Sequence, residues 1–368
     1  MSTVLFLVNH EVVIYNFRLE IIEKLLEDGH RVIISSPGGK RIDELKNLGC
    51  EHYDVELSRH GINPLKEITL LKTYKSLIKN TKPDIVFTFT IKPNIYGSIA
   101  ARKFNVPCVA NITGLGTALE NDGILQMLTR FMYKYAFRQV QTCFLQNKEN
   151  EDFFARYHIA DGKRKLIPGS GVNLDRYTPT EYPRIEGNGR NKKLRFAFIS
   201  RIMKEKGIEE YLKAAIILKR KYPELEFHVC GFCEEGTRYF ELLNRLHEKE
   251  IIVYHGMISN VAEMMASCHC IVHPTYYPEG ISNVLLEAGA CARPIITTNR
   301  AGCREVIEDG KNGFVVKEKN HIDLIGAIKK IITSKQEFLK EMGLYGREKV
   351  TKEFDRKIVV QAYMSEMV

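Results

Sequence analysis

The 368-residue chain contains no tryptophan, no apolar run of eighteen residues and no Asp-x-Asp pair. The missing apolar run excludes a membrane-spanning helix. Without tryptophan, and with no stretch that interleaves aromatic and basic residues, a nucleic-acid platform has no support and no nucleic-acid partner is expected. The opening MSTVLFLVNHEVV lacks a basic leader region and a small-residue cleavage site, and reads as a first strand rather than a signal peptide. The nine cysteines are odd in number and scattered, which suits reduced thiols in a cytoplasm. The pairs Cys230–Cys233 and Cys268–Cys270 lie in apolar surroundings, LEFHVCGFC and CHCIVHP, so core and loop thiols are the better reading than a metal site.

What is present describes an ordinary soluble protein: 44% hydrophobic and 27% charged residues, in a chain longer than one core usually serves, so two domains are expected. The net charge of +9 is spread over both halves. It suits an anionic partner without choosing between phosphates, nucleic acid and an acidic membrane. Strand-length apolar runs alternate with amphipathic stretches. TVLFLV precedes a helical pattern at 16–28. RVIISS, a weaker strand near 52–56, a helix at 64–79 and DIVFTF at 84–89 follow. A helix from Pro93, PCVANI at 107–112, a helix at 122–138 and TCFLQ at 142–146 complete the first half. Residues 168–193, rich in Gly, Pro, Asn and charge, break the pattern. It restarts with LRFAFIS and continues through EFHVCG, IIVYHG, CHCIVHP and PIITT, with helices between; the tail from 320 is helical. This is an α/β chain with two doubly wound Rossmann-like domains and a cleft between them, whose ligands bind at the carboxyl ends of strands.

The stretch YYPEGISNVLLEAGACARPIITT carries Glu279 and Glu287 on either side of an expected helix start. Ser282 is a good N-cap, and the first amides, at Asn283, Val284 and Leu285, then lack helical partners and form an anion site. The order is carboxylate, anion-binding amides, carboxylate. A sugar nucleotide has the matching order of sugar hydroxyls, diphosphate and ribose hydroxyls. A first-turn glutamate and a solvated loop glutamate would give the same letters. In FAFISRIMKEKGIEEYLKAA, Arg201, Lys204 and Lys206 follow the second domain's first strand, where phosphates in a cleft would lie; a solvated basic turn is the plainer reading of that loop alone.

SRIMKEKG followed by PEGISNVLLEAGACARPIITT resembles the retaining glycosyltransferases of family 4, which have the GT-B fold; the resemblance runs from the first strand to EVIEDGKNGFVV at 305–316. LVNHEVVIYNFRLEII, TIKPNIYGSIAA and NITGLGTALE are similar to the branch that builds capsular polysaccharide, O-antigen and lipid-linked glycans in bacteria. The resemblance implies an acceptor-binding domain at 1–172, a linker at 173–193 and a nucleotide-sugar domain at 194–350. It implies a helix at 351–368 returning to the N-terminal domain. Arg201 and Lys206 would hold the donor diphosphate, Glu279 the donor sugar and Glu287 the ribose. The amides after Gly280, through Ile281, Ser282, Asn283, Val284 and Leu285, would assist with the phosphates. UDP is the default nucleotide, with a hexose or N-acetylhexosamine as the sugar. Transfer would retain the anomeric configuration by front-face attack, the leaving diphosphate helping to deprotonate the acceptor.

Arg201, Lys206 and the helix amides are aimed at the charge that develops on the leaving diphosphate, so no metal or other cofactor is expected. The acceptor, a polyprenyl-diphosphate-linked saccharide, should meet the first domain. The candidates there are His10 at the end of the first strand, Thr90 and Lys92 in FTFTIKPN, and Asn111, Thr113 and Gly114 in ANITGLG. Many relatives carry a histidine where Thr113 or Gly114 stands; another group, or the backbone of residues 113–116, would take its role. His10 also suits a local loop hydrogen bond, and the segment before Pro93 suits capping alone. Arg130, Lys134 and Arg138 fall at i, i+4 and i+8 of helix 122–138, a stripe that could face the acidic inner surface of the cell membrane; a core helix with a solvated basic face gives the same spacing. Two alternatives stay open: a sugar-nucleotide epimerase of the same fold, which needs no acceptor, and a non-catalytic sugar-nucleotide-binding subunit.

Overall fold

The computed structural model describes all residues except 58–62, 117, 118, 120–122, 234 and 368. The chain divides into two compact units, one of Met1–Gly171 with Arg356–Val368 and one of Val172–Asp355.

The first unit holds strands β1 (Thr3–Leu7), β2 (Arg31–Ser36), β3 (Glu51–Asp54), β4 (Ile85–Phe89), β5 (Cys108–Ile112), β6 (Thr142–Leu145) and β7 (Arg164–Leu166). They form one sheet in the order β3-β2-β1-β4-β5-β6-β7, with every pair parallel. β4 and β5 are buried along their whole length, as strands covered on both faces must be, which is why they read as unbroken apolar runs. The second unit holds β8 (Arg195–Ile199), β9 (Glu226–Cys230), β10 (Val253–Gly256), β11 (Cys270–His273), β12 (Ile295–Thr298) and β13 (Gly313–Val316), in the parallel order β10-β9-β8-β11-β12-β13. In each sheet the strand order reverses beside the first strand, between β1 and β4 and between β8 and β11. A ligand of a doubly wound sheet binds at such a point, at the carboxyl ends.

Three expectations change. The helical pattern at 16–28 is two helices, Glu11–Phe17 and Leu19–Glu27, broken at Arg18, whose side chain is buried. The segment 173–193 belongs to the second unit rather than linking two. Tyr177 and Tyr182 are buried there, the Tyr182 hydroxyl donates to His269 O (2.8 Å), and Arg293 Nη2 donates to Thr180 Oγ1 (2.6 Å). Its Gly, Pro and Asn content leaves little regular structure, one 3-10 turn at Gly189–Asn191, but does not prevent packing. The element expected at 351–368 is divided: helix Gln336–Glu353 lies in the second unit and only helix Arg356–Met364 packs in the first. Tyr363 of that last helix sits among Phe87, Phe89 and Phe144, with ring centroids 5.3, 6.3 and 5.2 Å away. Residue 122, where the helix 122–138 was expected to begin, lies outside the described residues; the helix runs Ile124–Ala136.

Candidate active site

The second unit's reversal point gathers the residues singled out in SRIMKEKG and YYPEG. Past β8, Arg201 is exposed, and residues Lys204–Lys206 make one tight turn that ends at Gly207. Gly207 has φ +81° and starts helix Ile208–Lys221; a Cβ there would stand 2.2 Å from Pro274 O, so only glycine lets the two loops close on each other. Past β11, the Tyr276 amide donates to Glu205 O (2.8 Å) and Thr275 Oγ1 donates to the same oxygen (3.2 Å), fixing the turn that carries Lys206.

Two loops far apart in sequence are thereby joined in one ion pair. Lys206 Nζ donates to Glu279 Oε1, with the two side chains 10% and 15% exposed. Behind it stands His273, fully buried, with Nε2 3.5 Å from the same carboxylate oxygen and no hydrogen bond at either ring nitrogen. Burial holds His273 below its ordinary value, against the pull of Glu279. Burial would raise the Glu279 carboxyl, but Lys206 and the His273 side chain outweigh it and hold it well below the usual carboxylate range. The Tyr277 ring lies 5.0 Å from Lys206 Nζ and 5.8 Å from the Arg201 guanidinium, so one aromatic ring contacts both cations.

Helix Asn283–Ala290 begins beside this pair. Ser282 is its N-cap residue, but the side chain does not cap; its hydroxyl is buried and unpartnered. The Ser282 amide instead donates to Gly302 O (2.8 Å), and the Leu285 amide is taken by Ser282 O (3.1 Å), which removes Leu285 from the expected set of open donors. The amides of Asn283 and Val284 have no acceptor among the described residues. A Cβ at Gly302, φ +88°, would meet Gly280 O at 2.4 Å, so residues 300–305 brace the loop from behind. Ile281 is buried in the apolar cluster under the helix. Glu287, half-buried in the helix, adjoins Tyr177, whose phenol is pushed up by burial and then by that carboxylate. The sequence reading missed His273, Tyr277 and Tyr177. His273 could have been marked only by its place at the end of β11, and Tyr277 by the loop that follows it; nothing in the sequence marks Tyr177.

The first-unit candidates are less alike. His10 caps helix Glu11–Phe17, its Nδ1 accepting from the Val12 amide (3.1 Å), the local role that its loop position allowed. Thr90 has φ +69°, a strained position for a β-branched residue, and its hydroxyl is buried without a partner. Lys92 Nζ donates to Glu67 Oε1 (2.6 Å). Asn111 is buried and built into the core: Nδ2 donates to Thr88 O (3.1 Å) and Oδ1 accepts from the Tyr363 hydroxyl. Thr113 and Gly114 follow β5 and are half-buried, Gly114 at φ +139°. All nine cysteines are buried free thiols.

The fold and this loop pair define a class. Residues 3–147 match the family described as Glycosyl transferase 4-like, and residues 183–349 match Glycosyl transferases group 1. The chain belongs to the glycosyltransferases of GT-B fold, which sets the epimerase alternative aside. A Campylobacter jejuni N,N'-diacetylbacillosaminyl-diphospho-undecaprenol alpha-1,3-N-acetylgalactosaminyltransferase is 27% identical over 364 residues, 95% of this chain and 94% of its own. An Escherichia coli UDP-Gal:alpha-D-GlcNAc-diphosphoundecaprenol alpha-1,3-galactosyltransferase is 27% identical over 331 residues, 80% of this chain and 84% of its own. Among solved structures, Anabaena Alr3699/HepE in complex with UDP and glucose superposes with a TM-score of 0.80 at 15% identity, over 100% of this chain and 99% of that one.

Proposed function

We propose that the protein transfers a hexosyl or N-acetylhexosaminyl group from a UDP-sugar to a lipid-diphosphate-linked saccharide, with retention, during synthesis of a bacterial surface polysaccharide. The observation that carries this reading is the Lys206–Glu279 pair set against the open amides of Asn283 and Val284 at the reversal point of the second sheet. Two relatives whose names specify undecaprenyl-diphosphate-linked sugars support the acceptor class.

In this reading Arg201, Lys206 and the helix amides bind the diphosphate, Glu279 accepts hydrogen bonds from donor-sugar hydroxyls, and Glu287 accepts from the ribose. The bond between the anomeric carbon and the diphosphate oxygen breaks as the acceptor hydroxyl bonds to that carbon from the same face. The hydroxyl proton passes to the departing diphosphate. The fixed donors act on charge that grows only as the bond breaks, so they lower the barrier without an added cation. The exposed apolar face of helix Ile124–Ala136 would hold the enzyme at the inner membrane face, where a lipid-linked acceptor lies.

The test is incubation with a panel of nucleotide sugars and a lipid-diphosphate-linked monosaccharide, with chelator present, followed by mass spectrometry of nucleotide and lipid. Acceptor-dependent extension that survives chelator and collapses in Glu279→Ala is expected. Donor turnover without an acceptor, or binding without turnover on every acceptor, would overturn the proposal.

A further inference from the structure

One buried polar side chain of the second unit has no part in the chemistry above. His273 ends β11, 1% exposed, with its ring centroid 6.5 Å from that of Phe198. Both ring nitrogens are buried and have no hydrogen-bond partner among the described residues. An apolar side chain would fill the same place without leaving two polar atoms unpaired. The ring is also aimed. Nε2 lies 3.5 Å from Glu279 Oε1, the oxygen that Lys206 holds. That gap exceeds the usual N–H···O distance by about half an ångström.

Lys206 has two anions to serve. Its ammonium donates to Glu279 Oε1, and in the reading above it also holds the donor diphosphate, whose charge grows as the bond to the anomeric carbon breaks. As the ammonium turns toward that charge, its hold on Oε1 loosens. Glu279 must keep its place through the same step, because a shifted sugar misaligns the reacting carbon. Thr275 Oγ1 lies 3.4 Å from Oε1, but its hydrogen serves Glu205 O at 3.2 Å. A hydroxyl has no second hydrogen to give. His273 is placed to take over. Its Nε2 carries a hydrogen in the charged ring and in one of the two neutral tautomers. No other acceptor among the described residues takes that hydrogen.

We propose that His273 is a positioning residue: its Nε2–H closes onto Glu279 Oε1 when a diphosphate draws Lys206 aside, and so keeps the carboxylate on the donor sugar through bond breaking. The assignment rests on the donor-site reading above. The lysine stays close enough to balance the charge, while the histidine holds the orientation.

The first experiment uses the full chain with isotope-labelled histidine and UDP as the probe, read by long-range proton–nitrogen NMR. The His273 signal is assigned by its absence in His273→Gln. UDP should move the Nε2–H proton of His273 downfield, as a hydrogen bond to a carboxylate does. Glu279→Ala should remove that shift while calorimetry still records UDP binding. A His273 signal that stays in place while UDP binds, or that moves equally in Glu279→Ala, would overturn the proposal. If calorimetry records no UDP binding to the wild type, the donor-site reading itself fails and the proposal falls with it. The second experiment compares His273→Leu and His273→Gln, with the donor and acceptor found in the panel above. His273→Leu should lower kcat by ~10–100-fold, the scale of a misplaced reacting group, with the donor KM nearly unchanged. His273→Gln, whose amide offers an N–H at similar reach, should recover most of that loss. A leucine variant as active as the wild type would make His273 a core filler and overturn the proposal. So would equal losses in the two variants with unchanged thermal melts. Where a core substitution lowers the melt, the UDP-induced shift in the wild type decides.

Discussion

At the scale of single residues, the pairing of Lys206 with Glu279 governs both charge and geometry at the site. A nearly buried carboxylate stays ionised only beside a cation, and Lys206 is the cation that touches it. Because the folded value of Glu279 lies below its unfolded one, the ionised form stabilises the fold above the ordinary carboxylate range. That contribution is lost only as pH falls well below this range. Glu279 therefore sets no limb in the wild-type pH profile between ~pH 5 and 8, within the usual stability window of proteins. Lys206→Ala should lower kcat by ~10²–10³, the usual loss for one fixed donor to developing charge, and raise the Glu279 carboxyl enough to bring an acid limb into the kcat/KM profile. A flat profile in the variant would show that something other than Lys206 keeps the carboxyl charged. His269 makes the opposite kind of statement. Burial, against a hydrogen bond to Arg184 O, pushes it down to about 4 from its ordinary 6.5, and its Nδ1 accepts from the Arg195 amide (2.9 Å). Its depressed value favours the neutral fold above pH 6.5, and that advantage is lost as pH falls toward 4. The difference amounts to roughly 3 kcal/mol. His269→Gln should flatten the decline in urea stability across that range relative to the wild type; parallel declines would count against the assignment.

At the scale of elements, helix Ile124–Ala136 is inverted. It buries Gln126, Thr129, Tyr133 and Ala136 and exposes Ile124 (82%), Met127 (57%) and Phe131 (69%), together with Leu128 and Tyr135. Arg130 and Lys134 flank that apolar face, and Arg130 stacks over Tyr157 at 4.0 Å. An exposed apolar stripe bordered by cations is the pattern of a helix lying in a membrane interface. Changing Arg130, Lys134 and Arg138 together to Glu should release the protein from anionic liposomes in a flotation assay. Binding that survives would assign the stripe to another partner. The sequence showed that the stripe was basic, but 3.6-residue periodicity cannot say which face of a helix packs, and here the polar face does. Most strands were legible because parallel strands buried on both faces read as continuous apolar runs. β7, whose letters are Arg-Lys-Leu, and β13, four residues behind a turn, give no such run. In the site, the two loops carrying Lys206 and Glu279 could be singled out in the sequence, but the pairing of the two side chains could not. His273 was not singled out, because a histidine at a strand end becomes part of the site only once β8 and β11 are neighbours.

At the scale of the whole molecule, the first unit is not finished until the chain has made the second. The chain leaves the first unit at Gly171 and re-enters it at Arg356, where Arg356 Nη2 donates to Gly171 O (3.2 Å) and Nη1 pairs with Glu20 (2.8 Å). The last helix then supplies Tyr363, which stands at a junction of buried polar groups. Its hydroxyl accepts from Arg18 Nε (3.0 Å) and donates to Asn111 Oδ1, and Asn94 Nδ2 donates to Asn111 O (2.8 Å) while Asn94 Oδ1 accepts from Thr88 Oγ1 (2.7 Å). Below it, Glu366 accepts from Thr142 Oγ1 (2.7 Å) and Lys165 Nζ (2.7 Å), tying the terminus to β6 and β7. Tyr363→Phe keeps the ring among Phe87, Phe89 and Phe144 but leaves a buried guanidinium nitrogen and a buried amide oxygen without their partner. Each such orphan costs ~1–3 kcal/mol. In hydrogen-exchange mass spectrometry the variant should lose protection in peptides spanning β1, β4, β5 and β6 and keep it in peptides spanning β8 to β13. Equal loss in both sets would mean that the two units unfold as one, and unchanged protection would mean that ring packing alone holds the last helix.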